Sequence, residues 1–385
     1  MTGKGEGMKA RKTGSGTRDL IRPDLRQLAG YTAVDPVERL VKDGDTGQPG
    51  IESRPTVKLD ANENPYGPSP RVLKSIAGSS ALHVYPDAEQ QNLRTALGDY
   101  VGLGAEHIVV GNGSDDILDL ITRLTLEPGD RVINCTPTFG MYKFVTEVSG
   151  GVLVEVSRND HYGLDLDAIE KSIDDRTKIV FIASPNNPTG NSSSRDEIVR
   201  LLETGLAVVV DEAYFEFSGQ TMASLVPDYD NLMVVRTFSK WAGLAGVRVG
   251  YGIFSPRIAG YINQIKQPYN VSVFAQMAAL ESLADRDYLM ANVKAIIKER
   301  ERLFGEIEKL DFLRPMPSEG NYILCDVTRG DASRLYERLK ERRVFVRYYD
   351  RPNLRNCIRI SVGKPEETEA LLEALRAVGE ENDAQ

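Results

Sequence analysis

One pattern constrains this chain more than any other. Short β-branched runs recur along it, and amphipathic stretches stand between several of them. The runs are 107–110, 131–135, 152–156, 178–183, 207–210, 233–237 and 247–254. The segments 115–126, 166–173 and 195–204 carry apolar residues at helical spacing. A strand apolar at nearly every position, as in Ala207-Val-Val-Val210, must be covered on both faces. Helices between such strands supply the cover, so the expected class is α/β with a mainly parallel sheet. Residues 275–310 predict one or two long charged helices. Strands over 321–327, 344–348 and 357–362, with helices near 332–342 and up to about 378, predict a smaller α+β unit.

The 385 residues carry a net charge of −9, which argues against nucleic acid as the default partner, since a phosphate backbone needs a basic face. Cys135, Cys325 and Cys357 are too few for a disulfide scaffold, and no two have metal-ligand spacing, so no metal is expected. No apolar run is long enough to span a bilayer. Residues 1–18 are rich in Gly, Lys, Arg and Thr and lack the apolar run of a secretory signal, which predicts a disordered tail and a cytoplasmic protein. A short helix is expected over 36–42, ahead of a turn-rich stretch at 43–50.

The chemistry-bearing residues follow strands. Lys240 closes Arg236-Thr-Phe-Ser-Lys240, just beyond an apolar run, where α/β sheets bind ligands; a lysine shielded from water there can form a Schiff base. Asp211 ends Ala207–Asp211, and a buried acid is costly unless paired. A protonated pyridine nitrogen would suit it, and a helix-capping role would equally explain it. Ser184-Pro-Asn-Asn187-Pro-Thr-Gly190 is a turn that also presents rigid amides. Gly111-Asn-Gly113-Ser-Asp115 joins a strand to a helix, which reads either as a capped glycine turn or as a phosphate site built from helix N-terminal amides. Arg248, eight residues beyond Lys240, could clamp the same phosphate.

In this order the motifs resemble those of fold-type I pyridoxal-phosphate aminotransferases, and among them the histidinol-phosphate aminotransferase group. The similarity runs from about Leu59 to Gly363. It is carried by Leu59–Gly67, Tyr85-Pro-Asp87, Gly113–Asp116, Pro137–Tyr142, Ser184–Gly190, Val210–Tyr214, Thr237–Lys240, Gly243–Arg248, Gly320–Tyr322 and Ile358–Gly363. The resemblance implies a pyridoxal 5′-phosphate enzyme with a large cofactor-binding domain over 59–275 and a small domain over 276–385. Residues 19–58 would form an arm serving the small domain and a dimer. Lys240 would hold the cofactor and move the proton. Asp211 would pair with the ring nitrogen, Asn187 and Tyr214 would bond the ring oxygen, and Phe139 would stack on the ring. Gly113, Ser114, Asp115, Thr237, Ser239 and Arg248 would cradle the phosphate. Tyr85 would reach the phosphate in the neighbouring subunit of an obligate homodimer. Arg359 and Arg347 would bind the anionic ends of glutamate (or 2-oxoglutarate) and of histidinol phosphate. Tyr31 would close over the neighbour's site, and Asn62 would line the pocket. One departure stands out: Trp241-Ala242 follows the lysine, where a small residue and then an aromatic are usual.

Other functions share these residues. An aromatic amino acid aminotransferase would keep the fold and change the substrate. A threonine-phosphate decarboxylase would break the bond to the carboxylate instead. A non-enzymatic cofactor-binding regulator would need a fused basic or DNA-binding segment, and none is visible.

Overall fold

The computed structural model describes residues 22–26, 28–31, 36, 55–80 and 83–383. The expected tail over 1–18 and most of the expected helix over 36–42 lie outside them. Two sheets organise the chain. The larger contains β2 (Ile108–Gly111), β3 (Arg131–Thr136), β4 (Val152–Ser157), β5 (Thr177–Ala183), β6 (Ala207–Asp211), β7 (Leu232–Thr237) and β8 (Gly250–Ile253). Its order is β2-β8-β7-β6-β5-β3-β4. β8 runs antiparallel to both neighbours, while β7, β6, β5, β3 and β4 pair in parallel. The smaller sheet has the order β1-β11-β12-β10-β9, built from β1 (Val57–Leu59), β9 (Leu313–Pro315), β10 (Tyr322–Val327), β11 (Val344–Tyr348) and β12 (Cys357–Ser361).

Both faces of the larger sheet are covered, as its apolar runs require. Val208 and Val210 pack into one apolar cluster and Val209 into another on the opposite face. A third cluster forms around the smaller sheet. The helix Arg286–Ile307 serves two of them. Its Leu289, Val293 and Ile296 join a large-sheet cluster, while Leu303 and Ile307 join that of the smaller sheet.

Most predicted elements form within a residue or two of their expected ends. Local chemistry explains several starts, such as the capping box of Ser194 and Glu197 ahead of Arg195–Leu202. The run expected over 247–254 is a correction: only Gly250–Ile253 is strand. Arg248 takes a φ of 60°, which takes the chain out of the extended conformation before the sheet begins. The three-residue strands β1 and β9 are too short to show an alternation in the sequence; β1 forms because β11 offers it a parallel edge.

Trp241 is fully buried, stacked on Tyr100 and tilted against Phe238. The departure after Lys240 is therefore a core residue. Close by, Arg236 and Glu212 form a buried ion pair at 2.9 Å. Glu212 also accepts from the Met222 amide and the Thr221 hydroxyl. The pair links the end of β7 to the residue after β6. Arg236→Met would strand Glu212 as an unpaired buried carboxylate. It should destabilise the protein by roughly 3–5 kcal/mol, with the E212Q/R236M double variant recovering much of the loss. Urea unfolding of the two variants beside the wild-type protein checks this.

Candidate active site

The C-terminal ends of β5, β6 and β7 open into a cavity of about 750 Å³. Open α/β sheets bind ligands at this edge because strand ends and helix N-termini expose unpaired polar groups there. Asp211 is the last residue of β6, and Lys240 follows β7 by three residues. Both line the cavity, as do Ser114, Asp115, Phe139, Asn187, Tyr214, Thr237, Ser239 and Arg248. The smaller sheet contributes Arg347 and Arg359, the segment before β1 contributes Tyr31, and the turn after β1 contributes Asn62.

Asp211 is buried and, among the described residues, has no ion-pair partner. Its Oδ2 accepts from the Tyr142 hydroxyl at 2.8 Å and its Oδ1 from the Ala213 amide at 3.0 Å. The second bond closes a local turn and caps no helix, since the next helix, Phe215–Ser218, has Tyr214 at its N-cap; the first turns the carboxylate into a fixed element of the site. Burial pushes its pKa up to about 6, with the two hydrogen bonds opposing the rise. Lys240 Nζ donates to the Ala61 carbonyl at 3.1 Å and lies 5.9 Å from the centre of the Tyr214 ring. Loss of water, aided by the Arg359 guanidinium, lowers its pKa to about 8. Burial raises the Tyr214 hydroxyl to about 12; that hydroxyl accepts from Asn62 Nδ2 at 2.9 Å.

The loop before the helix Ser114–Thr125 turns at Gly113, with φ 85°. A Cβ on Gly113 would fall 2.5 Å from Arg248 Nη2, and one on Gly250 would fall 2.4 Å from the Ser114 amide nitrogen. Both glycines are therefore required for the guanidinium and the helix N-terminus to converge. Arg248 Nη2 meets Asp115 Oδ2 at 2.9 Å. Thr237 and Ser239 share a hydroxyl–hydroxyl bond of 2.9 Å on the same wall. Helix-end amides, two hydroxyls and an arginine together suit a phosphate.

Arg359 is buried and braced, donating through Nη1 to Asn187 Oδ1 at 2.7 Å and through Nη2 to the Asp60 carbonyl at 2.5 Å. Its Nε is buried and has no partner. Arg347 faces Arg359 in the β11–β12 register, which brings the two guanidinium-bearing residues to neighbouring strands. Phe139 meets Tyr142 edge-on at 5.7 Å.

Two residues were expected to act at a neighbouring subunit's site. Within its own chain Tyr31 lines the cavity; its ring meets Phe139 edge-on at 6.1 Å and rests on Gly140, whose missing side chain leaves room for it. Tyr85 stays outside the cavity, 78% exposed and stacked on Tyr269. Sequence reasoning missed three supporting residues. Tyr142 fixes Asp211; Ser361 donates to Asn62 Oδ1 at 2.9 Å; Asn321 donates to the Asn62 carbonyl at 3.0 Å. All three lie in segments that carried the resemblance, yet their roles depend on which buried group each one meets.

A buried carboxylate with no ion-pair partner among the described residues, a lysine of lowered pKa and a glycine-shaped anion cradle converge on one cavity. That donor set fits pyridoxal phosphate, whose ring nitrogen, aldehyde and phosphate need those three partners. The comparisons agree. Residues 54–375 match the family model "Aminotransferase class I and II". The chain is 48% identical to the histidinol-phosphate aminotransferase of Dehalococcoides mccartyi (strain CBDB1), over 94% of this chain and 98% of that one. It belongs to this family of aminotransferases. It is also 46% identical to histidinol-phosphate aminotransferase 1, chloroplastic, of Arabidopsis thaliana, over 92% of this chain and 85% of that one. The crystal structure of the Sinorhizobium meliloti histidinol-phosphate aminotransferase in complex with pyridoxal-5′-phosphate superposes with a TM-score of 0.82 at 28% identity, covering 94% and 99% of the two chains. The fold is that of a fold-type I pyridoxal-phosphate enzyme, and pyridoxal phosphate is the cofactor of this aminotransferase.

The lysine sets a pH signature. Capture of the cofactor aldehyde needs the neutral amine, and Lys240 sheds its proton near pH 8, well below an ordinary lysine. Cofactor uptake by the apoprotein should accelerate about tenfold per pH unit below that point and level off above it. Absorbance-monitored reconstitution across pH 6–10 measures the profile. An inflection near that of a free lysine would contradict the shielding.

Proposed function

We propose that this aminotransferase acts on L-histidinol phosphate and 2-oxoglutarate, giving imidazole-acetol phosphate and glutamate in histidine biosynthesis, in the cytoplasm. The observation that carries this reading is the pair Arg347 and Arg359, adjacent in register and both lining the cavity of Lys240. A transaminase must bind two acids in turn at one site, so it needs cations placed for both.

The geometry supports these roles. Ser114, Asp115, Thr237, Ser239 and Arg248 would hold the cofactor phosphate, with Gly113 leaving room for Arg248. Asp211, kept in place by Tyr142, would hold the proton of the ring nitrogen. Asn187 and Tyr214 would bond the ring oxygen, and Phe139 would cover the ring. Bound pyridoxal phosphate supplies an electron sink for the pair left when the substrate carbon loses its proton. Lys240 Nζ accepts that proton and returns it at the new position; its lowered pKa makes the neutral base available near neutral pH. Arg359, already braced on Asn187 and Asp60, would take a carboxylate. Arg347 would take the phosphate of histidinol phosphate. Asn62 and Tyr31 would close the pocket around the substrate.

The reading also includes a homodimer, with large and small domains about the two sheets. Tyr85, with its flanking Val84 and its stacking partner Tyr269, forms an exposed apolar patch. In a dimer Tyr85 would reach the partner's phosphate cradle. If so, a Tyr85→Ala chain and a Lys240→Ala chain, each with little activity, should regain about a quarter of wild-type activity when refolded together, because half the dimers would contain one intact site of two. Equal mixtures that stay inactive would place Tyr85 outside the partner's site.

Single-turnover titration of the holoprotein tests the substrate. Histidinol phosphate and glutamate should each convert the cofactor absorbance rapidly to that of the pyridoxamine form. Phenylalanine should do so at least tenfold more slowly, since it has neither a phosphate nor a second carboxylate to offer Arg347. Rapid conversion by phenylalanine alone, or carbon dioxide release from threonine phosphate, would move the protein to one of the other two enzyme readings.

A further inference from the structure

Beyond Arg347 and Arg359, the small-sheet side brings a third arginine to the cavity. Arg351 sits in the connection between β11 and β12, four residues past Arg347, and its side chain lines the cavity. Its backbone is anchored. It precedes the turn Pro352–Leu354, its carbonyl accepts from the Leu354 amide at 3.0 Å, and Leu354 is buried. The guanidinium reaches across to the large-sheet side of the mouth: a Cβ on Gly140 would lie 3.4 Å from Arg351 Nη2 and 3.3 Å from the Tyr31 ring. Among the described residues neither Arg347 nor Arg351 has a carboxylate partner. Lys143 and Glu147 on the same rim pair with each other at 3.8 Å, and Asp350 lines the cavity beside Arg351.

The two ends of the cavity thus differ in charge. The deep end offers one braced guanidinium, Arg359, which matches a monoanionic carboxylate. Toward the mouth stand Arg351 and the half-buried Arg347, neither with a carboxylate partner among the described residues. A phosphate monoester carries a charge of about −1.5 to −2 at neutral pH and three acceptor oxygens, so it can engage both. A side-chain carboxylate carries one charge and is satisfied by one.

We infer that Arg351 completes, with Arg347, a subsite for a phosphate monoester dianion at the cavity mouth, and that it selects the phosphorylated substrate over the dicarboxylic one. This rests on the substrate reading above. Arg351 is placed to bind the phosphate and plays no part in proton transfer.

The test is Arg351→Gln, with Arg351→Lys beside it, in the holoenzyme. Each half-reaction is followed separately with histidinol phosphate and with glutamate. In Arg351→Gln, kcat/KM for histidinol phosphate should fall about 10- to 100-fold, the scale of one charge-assisted hydrogen bond. The fall should lie in KM with kcat nearly held, and glutamate should lose far less. Arg351→Lys should recover part of the loss. Competitive inhibition by inorganic phosphate should weaken in parallel with the loss for histidinol phosphate. Equal losses for both substrates, or no loss for either, would overturn the subsite while leaving the substrate reading intact. A wild-type enzyme that fails to turn over histidinol phosphate would overturn both.

Discussion

The cavity exists because three side chains tie the smaller sheet to the edge of the larger one. Arg359 of β12 bonds Asn187, which follows β5, and the Asp60 carbonyl, which follows β1. Ser361 bonds Asn62, and Asn62 in turn bonds Tyr214 beyond β6. These bonds are short and buried, and each sets a guanidinium, hydroxyl or amide at the cavity wall. Burying an arginine is costly unless its donors are satisfied. Arg359 meets that cost with two partners and keeps its Nε free, so the bonds that close the site also aim its anion receptor.

The helix Arg286–Ile307 reinforces this tie from behind, with one half packed in each core. Around the lysine, charge is arranged by depth. Glu212 and Arg236 neutralise one another in the core, and Lys58 pairs with Asp60 at the cavity wall, while Asp211 faces the cavity as a buried carboxylate without an ion-pair partner among the described residues. A carboxylate with a pKa near 6 and an amine near 8 are both displaced toward neutrality by loss of water. Binding a cationic ring nitrogen beside Asp211 would relieve part of that cost, so the electrostatics of the site and the cofactor's charges are complementary.

The fold was legible where periodicity is strong. Seven apolar runs and the long charged helices stand in the sequence because each must repeat one chemical choice over many residues. Short β1 and β9 were not, because three residues cannot display an alternation, and the strand expected from 247 begins three residues later because Arg248 turns the backbone. Among site residues, Lys240, Asp211, Asn187 and Arg248 were visible as unusual residues at strand ends. Tyr142 and Ser361 were not: each resembles an ordinary core or strand residue until its partner is known.

The sequence by itself determined the α/β class, which follows from local runs, and its resemblance to a known family pointed to the cofactor and to Lys240 as the residue that would hold it. Only the tertiary structure decided which groups share the cavity. It placed Tyr31 over its own chain's site, left Tyr85 on the surface and brought Arg351 to the mouth. It also shifted the lysine and aspartate toward neutrality. Those outcomes depend on distances between residues far apart in the chain and on exclusion of water from between them, and no local pattern encodes either one.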